Sequence, residues 1–95
     1  MIIGVPKEIK NHEYRVGLTP RSVKECVNNG HKVLVQTNAG EGIGASDDEY
    51  SACGAGISST AAEIFKAAEM IVKVKEPQAG EIAMLREGQI LYTYL

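Results

Sequence analysis

The sequence predicts an α/β fold in which helices cover both faces of a mainly parallel sheet, as in Rossmann or flavodoxin-like domains. Helix and strand patterns alternate along the chain, and this order is typical of right-handed strand–helix–strand units. The strand patterns are almost continuously apolar, which indicates strands that are covered on both faces. Four such runs, rich in β-branched residues, are present: Ile2–Val5, Val33–Val35, Met70–Val74 and Ile90–Leu95.

Start and stop signals predict the first two helices. Thr19 can cap a helix whose first residue is Pro20, and Gly30 ends it. The hydroxyl of Ser46 can cap a second helix, whose acidic first turn suits the positive end of a helix and which ends at Gly54.

Two further helices are predicted in the second half of the chain. Thr60 and Glu63 have the spacing of a capping box at the start of a helix that runs to Ala68. A shorter helix is predicted at Ala79–Leu85, ending at Gly88.

The composition is that of a globular protein of at most one domain. Of the 95 residues, 44% are hydrophobic and 23% are charged, which excludes a disordered segment. No apolar run approaches the roughly 20 residues of a membrane-spanning helix. The net charge of −2 gives no basis for nucleic-acid binding, which needs a concentrated basic surface. The start of the chain lacks the pattern of a signal peptide, so we expect a cytoplasmic location.

Two cysteines, Cys26 and Cys53, lie in predicted helices. Their spacing is neither that of a disulfide scaffold nor that of a metal site. We therefore expect reduced, buried thiols and no metal ligands.

A glycine cluster at residues 40–45 formally matches the G-x-G-x-x-[GA] pattern of dinucleotide-binding loops. A nucleotide there would meet Glu41 inside the pyrophosphate cradle and the acidic residues 47–49 at the helix end, and both would repel an anion. The cluster also follows the second predicted strand, whereas this fingerprint belongs to the first strand–helix turn. We interpret its glycines as residues of turns with positive φ.

Segments along the whole chain resemble, in order and spacing, the start of alanine dehydrogenases and of the related transhydrogenase α-subunits. The opening match comprises residues 3–11, Glu13 and residues 15–20. The element Lys75-Glu76-Pro77 discriminates most, because the transhydrogenase pattern has no lysine at the place of Lys75. The other matching positions are residues 29–33, 39–40, Tyr50, 54–55, 70–77 and 91–95.

This resemblance implies an oxidoreductase that catalyses reversible, NAD-dependent oxidative deamination of L-alanine to pyruvate and ammonia. Residues 1–95 would belong to its N-terminal substrate-binding domain, and the resemblance implies a homohexamer. In the family, an acid–base histidine follows the segment that matches Tyr92 to Leu95, and a carboxylate and the NAD-binding domain come later. We therefore expect no catalytic or cofactor-binding residue here and no turnover by this chain alone. No helix pattern or polar tail follows Ile90–Leu95, which also predicts a truncated domain.

Arg15 is the first candidate for substrate binding. A guanidinium can hold a carboxylate through two parallel hydrogen bonds and keeps its charge. Arg15 follows the first strand, at the sheet edge where ligands of open α/β sheets bind. From the residues alone, a surface arginine or a partner of Glu8 or Glu13 is the favoured interpretation, and the resemblance favours substrate binding instead.

Lys75 is the second candidate. It comes at the carboxyl end of the third predicted strand, and Pro77 stops further strand pairing. Arg15 and Lys75 would then converge on one crevice, where the ammonium could hydrogen-bond the carboxylate or keto oxygen of the substrate. The alternative is that Lys73 and Lys75 are solvent-facing strand residues.

Other polar residues are weaker candidates. Glu8 and Glu76 could orient the two cations, although exposed carboxylates usually have no measurable effect. Tyr94 could line the pocket or belong to the core. His12 and His31 are poor acid–base candidates, since one lies in a charged loop and the other at the amino end of a strand.

Two alternative functions stay open at this point. The chain could be the N-terminal domain of a transhydrogenase α-subunit. It could also be a non-catalytic binding module whose exposed sheet edge pairs with a partner chain.

Overall fold

The computed structural model describes residues 1–94, which form a five-stranded, entirely parallel sheet. The strands are β1 (Ile2–Val5), β2 (Lys32–Gln36), β3 (Gly56–Ser58), β4 (Met70–Lys73) and β5 (Ile90–Thr93). The helices are α1 (Pro20–Asn28), α2 (Asp47–Ala52), α3 (Ala61–Ala67) and α4 (Ala79–Ile82), with a 3₁₀ turn at Glu41–Ile43.

The predicted fold class is confirmed, because helices pack on both faces of this sheet. On one face, Val23 of α1 and Tyr50 of α2 pack with the inward side chains of β1 and β2, including Val5 and Val33. On the other face, Ile64, Phe65 and Ala68 pack against Ile71 of β4. Complete burial of a side chain such as Val5 contributes about 1.5–3 kcal/mol.

Two of these three helix-start signals act as the sequence predicts, and the third does so in part. The side chain of Thr19 accepts a hydrogen bond from the amide of Ser22, with Pro20 in the first helical turn. Ser46 and Glu49 form a complete capping box at the start of α2. Thr60 caps α3 by accepting from the amide of Glu63, but the Glu63 carboxylate accepts from the hydroxyls of Ser59 and Thr60 and so does not complete a box.

Several predicted boundaries are wrong. β3 was not predicted, because Gly56-Ile57-Ser58 is a short edge strand with a single β-branched apolar residue, and that residue is exposed. α4 ends at Ile82 rather than Leu85, and Gly88, with φ of 81°, belongs to the turn before β5.

The last strand also differs from its prediction. β5 ends at Thr93, and Leu95 lies outside the described residues. Its side chains were expected to be buried, but Ile90, Leu91 and Tyr92 are exposed, because in residues 1–94 β5 is an edge strand that pairs with β4 alone.

The cysteines differ in part from their prediction. Cys26 lies in α1, whereas Cys53 is the residue that caps the end of α2. Both thiols are free, and both are only partly buried against the α1 and α2 side of the core.

The strand order β3-β2-β1-β4-β5 determines where a ligand can bind. The chain first builds outward from β1 through β2 to β3, and then crosses to the other side of β1 to form β4. In open α/β sheets, ligands bind at such a reversal, outside the carboxyl ends of the two central strands. The loops after β1 and β4 therefore define the place to search. None of the helices in residues 1–94 has the length and apolar character needed to cross a membrane.

Candidate functional site

Arg15 lies in the long loop after β1 and is held there by Glu13. Its Nε and Nη2 atoms donate to the two carboxylate oxygens of Glu13 at 3.0 and 2.9 Å, and its backbone amide donates to the same carboxylate at 2.9 Å. The Glu13 side chain is 5% exposed, whereas that of Arg15 is 64% exposed. The buried carboxylate is thus a fixed anchor for a guanidinium that reaches into solvent.

The pKa values of this pair show that both charges persist over a wide pH range. Hydrogen bonds from the side chain and then the backbone of Arg15 lower the pKa of Glu13 from 4.5 to about 2. The same pairing raises the pKa of Arg15. The positive charge of Lys75 contributes to the low pKa of Glu13 as well, so Lys75 lies close enough to act on this carboxylate.

The ion pair with Glu13 uses one edge of the Arg15 guanidinium and leaves the opposite edge for a ligand. Within residues 1–94, Arg15 donates side-chain hydrogen bonds through Nε and Nη2 alone. The edge formed by Nη1 and the second Nη2 hydrogen keeps the fork geometry that matches a carboxylate. The expected alternative, pairing with Glu13, is therefore real and still allows Arg15 to bind an anion.

Lys75 lies two residues beyond β4 and is half-buried. Its backbone amide donates to Oε1 of Glu8 at 3.2 Å. Its ammonium forms no ion pair with a carboxylate of residues 1–94, in contrast to Lys7, Lys10 and Lys73. Lys75 is thus the lysine of this sheet edge whose charge is left for a ligand.

The structure brings Arg15 and Lys75 to one groove. Both line an open cavity of about 410 Å³, together with residues 10–14 of the β1 loop. The two cations come from loops that follow adjacent parallel strands, as the sequence predicts. A second groove of about 290 Å³ continues on the other side of Arg15, where Val74 and Tyr94 contribute to its wall.

Lys73 is buried, contrary to the alternative that it faces solvent. Its ammonium lies 3.1 Å from Oε1 of Glu8 and 3.2 Å from Oε2 of Glu81, and all three side chains are at most 2% exposed. Oε2 of Glu81 makes no directed hydrogen bond within the described chain despite this short distance. Burying a charge is costly unless partners compensate it, and here two carboxylates surround one ammonium.

The other candidates have different partners from those expected. Glu76 pairs with Lys10 at 2.5 Å, which lowers the pKa of Glu76 to about 2, and so it orients neither candidate cation. The hydroxyl of Tyr94 donates to the carbonyl of Gly17 at 2.7 Å, and burial raises its pKa. Tyr94 therefore both lines a groove and has its hydroxyl satisfied.

His12 lies in the wall of the groove with φ of 63°, a backbone conformation that is uncommon outside glycine. Its Nδ1 atom is 3.3 Å from the hydroxyl of Tyr14. The placement of His12 in a charged loop agrees with the prediction from sequence, whereas His31 lies far from the groove, where Nδ1 contacts the amino terminus at 3.4 Å.

The glycine cluster serves close packing more than positive-φ turns. Only Gly44 has a positive φ, of 75°. A Cβ atom on Gly42 would collide with the backbone carbonyl of Tyr14, and one on Gly40 would lie 2.7 Å from the ring of Tyr50. The expectation of positive-φ turns is therefore wrong for Gly40 and Gly42, which are glycines because other atoms approach them closely.

Two residues were not singled out in the sequence: Glu13, whose contact with Arg15 is local, and Glu81, whose contact with Lys73 joins two separate elements. Glu13 was considered only as one of two possible partners of Arg15, and Glu81 was not considered. The spacing of Glu13 and Arg15, two residues apart in a loop, is a weak signal for the ion pair. Glu81 follows Gln78 at capping-box spacing, and Oε1 does accept from the amide of Gln78 at 2.9 Å.

Comparison with known proteins places this geometry in a family context. A family model described as "Alanine dehydrogenase/PNT, N-terminal domain" matches residues 4–95. The chain is 57% identical to an alanine dehydrogenase of Halomonas elongata and 56% identical to one of Methanococcus maripaludis, in each case over 100% of this chain and 26% of the relative.

Solved structures give the same result. An L-alanine dehydrogenase matches with a TM-score of 0.96 and 48% identity, over 100% of this chain and 26% of that one. A transhydrogenase from Sinorhizobium meliloti matches with a TM-score of 0.93 and 36% identity, over 100% of this chain and 27% of that one. The chain thus spans about a quarter of the length of the proteins that it matches.

Proposed function

Since this chain belongs to the alanine dehydrogenase/PNT N-terminal domain family, we propose that it provides the substrate-carboxylate site of an NAD-dependent alanine dehydrogenase. The reaction is the reversible oxidative deamination of L-alanine to pyruvate and ammonia. The observation that carries the proposal is the convergence of Arg15 and Lys75 on one groove at the reversal of strand order.

The charges of the groove suit a small carboxylic acid. Glu13 holds one edge of the Arg15 guanidinium, and the opposite edge can form two parallel hydrogen bonds to the substrate carboxylate. The ammonium of Lys75 can then bind the carboxylate or the keto oxygen, where negative charge increases as the carbonyl carbon is attacked. Binding and orientation are the contributions of this chain to the reaction.

The described residues do not fit NAD, which is the cofactor that the family implies. The glycine cluster is the segment nearest in pattern to a dinucleotide cradle, but Gly42 packs on Tyr14, and the start of α2 is occupied by its own capping box. The carboxylate of Asp47 accepts hydrogen bonds from the hydroxyl of Thr37 and the backbone amide of Asn38. These bonds lower the pKa of Asp47, so a negative charge persists where a phosphate would lie. In this proposal, NAD is bound by sequence outside this chain.

Further properties follow from the same proposal. The acid–base groups are assigned to sequence beyond this chain, so residues 1–95 alone are expected to form no NADH from alanine. A homo-oligomer, a hexamer by analogy with the family, and a cytoplasmic location belong to the proposal as well.

The transhydrogenase alternative has one observation in its favour, which is the close similarity to the Sinorhizobium meliloti structure. A transhydrogenase subunit handles nucleotides and needs no site for an amino acid. The ammonium of Lys75, which has no carboxylate partner within residues 1–94, lines one groove with Arg15 and supports the dehydrogenase, because two such cations suit an anionic substrate.

The test is a set of three variants in the protein that carries this chain. Arg15→Lys keeps the charge but loses the fork, and Lys75→Gln removes an ammonium from the groove. Each is expected to raise the KM for pyruvate by at least about tenfold, because hydrogen bonds to a charged ligand are lost. Lys10→Gln is the matched control, since Lys10 lines the same groove but is already paired with Glu76.

The KM for pyruvate should change by less than about twofold in Lys10→Gln, because exposed ion pairs contribute little. The KM for NADH should stay constant in all three variants. Equal effects of the three substitutions would show that the groove lacks a specific carboxylate site. Tight NADH binding without alanine-dependent turnover in the wild-type protein would favour the transhydrogenase.

A further inference from the structure

We propose that Glu8 is a positioning residue for Lys75 and thereby sets the affinity of the groove for its carboxylate substrate. The inference rests on the proposed function, because it assigns a residue that acts through a substrate-binding one. Glu8 does not line the groove that Arg15 and Lys75 share, and its side chain is only 2% exposed.

The Glu8 carboxylate holds three consecutive residues at the exit of β4. Oε1 accepts from the ammonium of Lys73 at 3.1 Å and from the backbone amide of Lys75 at 3.2 Å. Oε2 accepts from the backbone amide of Val74 at 3.0 Å. One side chain of the β1 loop therefore binds the β4 segment at every residue from 73 to 75.

These bonds replace the sheet ladder where it ends. The pairing of β1 with β4 runs through Ile3–Met70 and Gly4–Ile71, and that of β4 with β5 ends at Lys73–Thr93, so Val74 and Lys75 follow the last paired residue of β4. Segments outside a ladder normally leave backbone amides for water and are mobile. Here Glu8 supplies the acceptors that β1 no longer provides, so the backbone that carries Lys75 stays fixed beyond the end of the strand.

The buried ammonium of Lys73 fixes the carboxylate of Glu8 in turn. Lys73 lies between Glu8 and Glu81, and an ionised, fully buried carboxylate is retained where it is paired and hydrogen-bonded. Because Lys73 and Lys75 are two residues apart on one segment, the contacts of the buried lysine also help to fix the half-buried one. Loss of Glu8 would release the amide of Lys75, and a displacement of a binding group by about 1 Å can reduce catalytic efficiency severely.

Glu8→Gln and Glu81→Gln form a matched pair for the test. Each removes one negative charge from the neighbourhood of Lys73 at nearly constant volume. In Glu81→Gln, the new side chain would keep an oxygen for the amide of Gln78. In Glu8→Gln, it would have one acceptor oxygen for the three donors that the carboxylate now serves. Only the Glu8 substitution removes hydrogen bonds from the segment that carries Lys75.

Steady-state kinetics in the protein that carries this chain give the readout. We expect Glu8→Gln to raise the KM for pyruvate by about tenfold while the KM for NADH stays within about twofold, and we expect Glu81→Gln to leave both nearly unchanged. Glu8→Asp covers the case in which Glu8→Gln does not fold. It keeps the charge beside Lys73 but withdraws the carboxylate from the two backbone amides, so the KM for pyruvate should still rise.

Other outcomes overturn the proposal. If Glu8→Gln and Glu81→Gln raise the KM for pyruvate equally, the network only balances the buried charge. A wild-type KM for pyruvate in folded Glu8→Asp would also show that Glu8 does not position Lys75. Lys75→Gln separates this failure from that of the proposed function: if Lys75→Gln raises the KM strongly and Glu8→Gln does not, the substrate site stands and the positioning role of Glu8 falls.

Discussion

Replacing Tyr50 by phenylalanine tests how the loop of Arg15 is held to the core. Tyr50 is completely buried in α2, and its hydroxyl donates to the carbonyl of Leu18 at 2.7 Å. Leu18 lies in the same loop as Arg15, just before the cap of α1. Tyr50→Phe removes this single hydrogen bond and keeps the ring that fills the core.

The size of the effect follows from these contacts. The ring stays in place, so the change adds almost no cavity, and the main loss is the hydrogen bond and the solvation of a carbonyl left without its partner. Such a loss costs about 1–2 kcal/mol. For a chain of this size, each kcal/mol lowers the midpoint of thermal unfolding by about 4–8 °C. Circular dichroism of the chain during heating measures this shift.

The pKa of Tyr50 adds a pH signature. Burial raises it from 10.0 to about 12, with a smaller contribution from the negative charge of Glu49. A raised pKa means that the fold binds the protonated phenol preferentially, so its stabilisation is complete below pH 10 and disappears as the pH rises through 12. The wild-type protein should therefore lose its advantage over Tyr50→Phe between these two pH values.

Tyr14→Phe is the matched control, because it makes the same chemical change at a side chain that is 64% exposed. Its free energy of unfolding should stay within about 0.5 kcal/mol of the wild-type value. An equal loss of stability in both variants would show that the phenol at Tyr50 is not a buried hydrogen-bond donor. If the difference in free energy of unfolding between wild type and Tyr50→Phe stays constant from about pH 9 to about pH 12, the raised pKa of Tyr50 is contradicted.

Two further predictions concern the packing of β1 and the anchor of Arg15. Gly4→Ala should destabilise the chain by roughly 1–3 kcal/mol in urea unfolding, because the added Cβ would lie 2.7 Å from both Ala68 and Ile64; an unchanged midpoint would show that α3 can shift freely. Glu13→Gln should raise the KM for pyruvate by roughly twofold to fivefold in the protein that carries this chain, since Arg15 is exposed and loses only its anchoring charge; no change would show that Arg15 needs no orientation.

The features that were predictable from sequence are those encoded by neighbouring residues or by a general rule of sheets. Thr19 and Ser46 cap helices through the amides that follow them within three residues. The convergence of Arg15 and Lys75 follows from the rule that loops at the carboxyl ends of parallel strands share one edge. The family was also recognisable from its residues, and the comparisons confirm it.

The features that were missed depend on contacts between distant parts of the chain. Lysine is rarely buried, so nothing local indicates that Lys73 points inward; its partners Glu8 and Glu81 come from the β1 loop and from α4. Position 42 needs a glycine because the backbone of Tyr14 lies where a side chain would be. β3 was missed because a strand of three residues at a sheet edge has almost no pattern of its own.

The position of β1 in the middle of the sheet has a consequence for how the chain folds. Ile3 pairs with Val33 on one side and with Met70 on the other. Val33 follows Ile3 by 30 residues along the chain, whereas Met70 follows it by 67 residues. Parallel pairing across such sequence separations requires the closure of long loops and is slow. We therefore expect β1 to pair with β4 more slowly than with β2, and the groove between the loops after β1 and β4 to form late in folding.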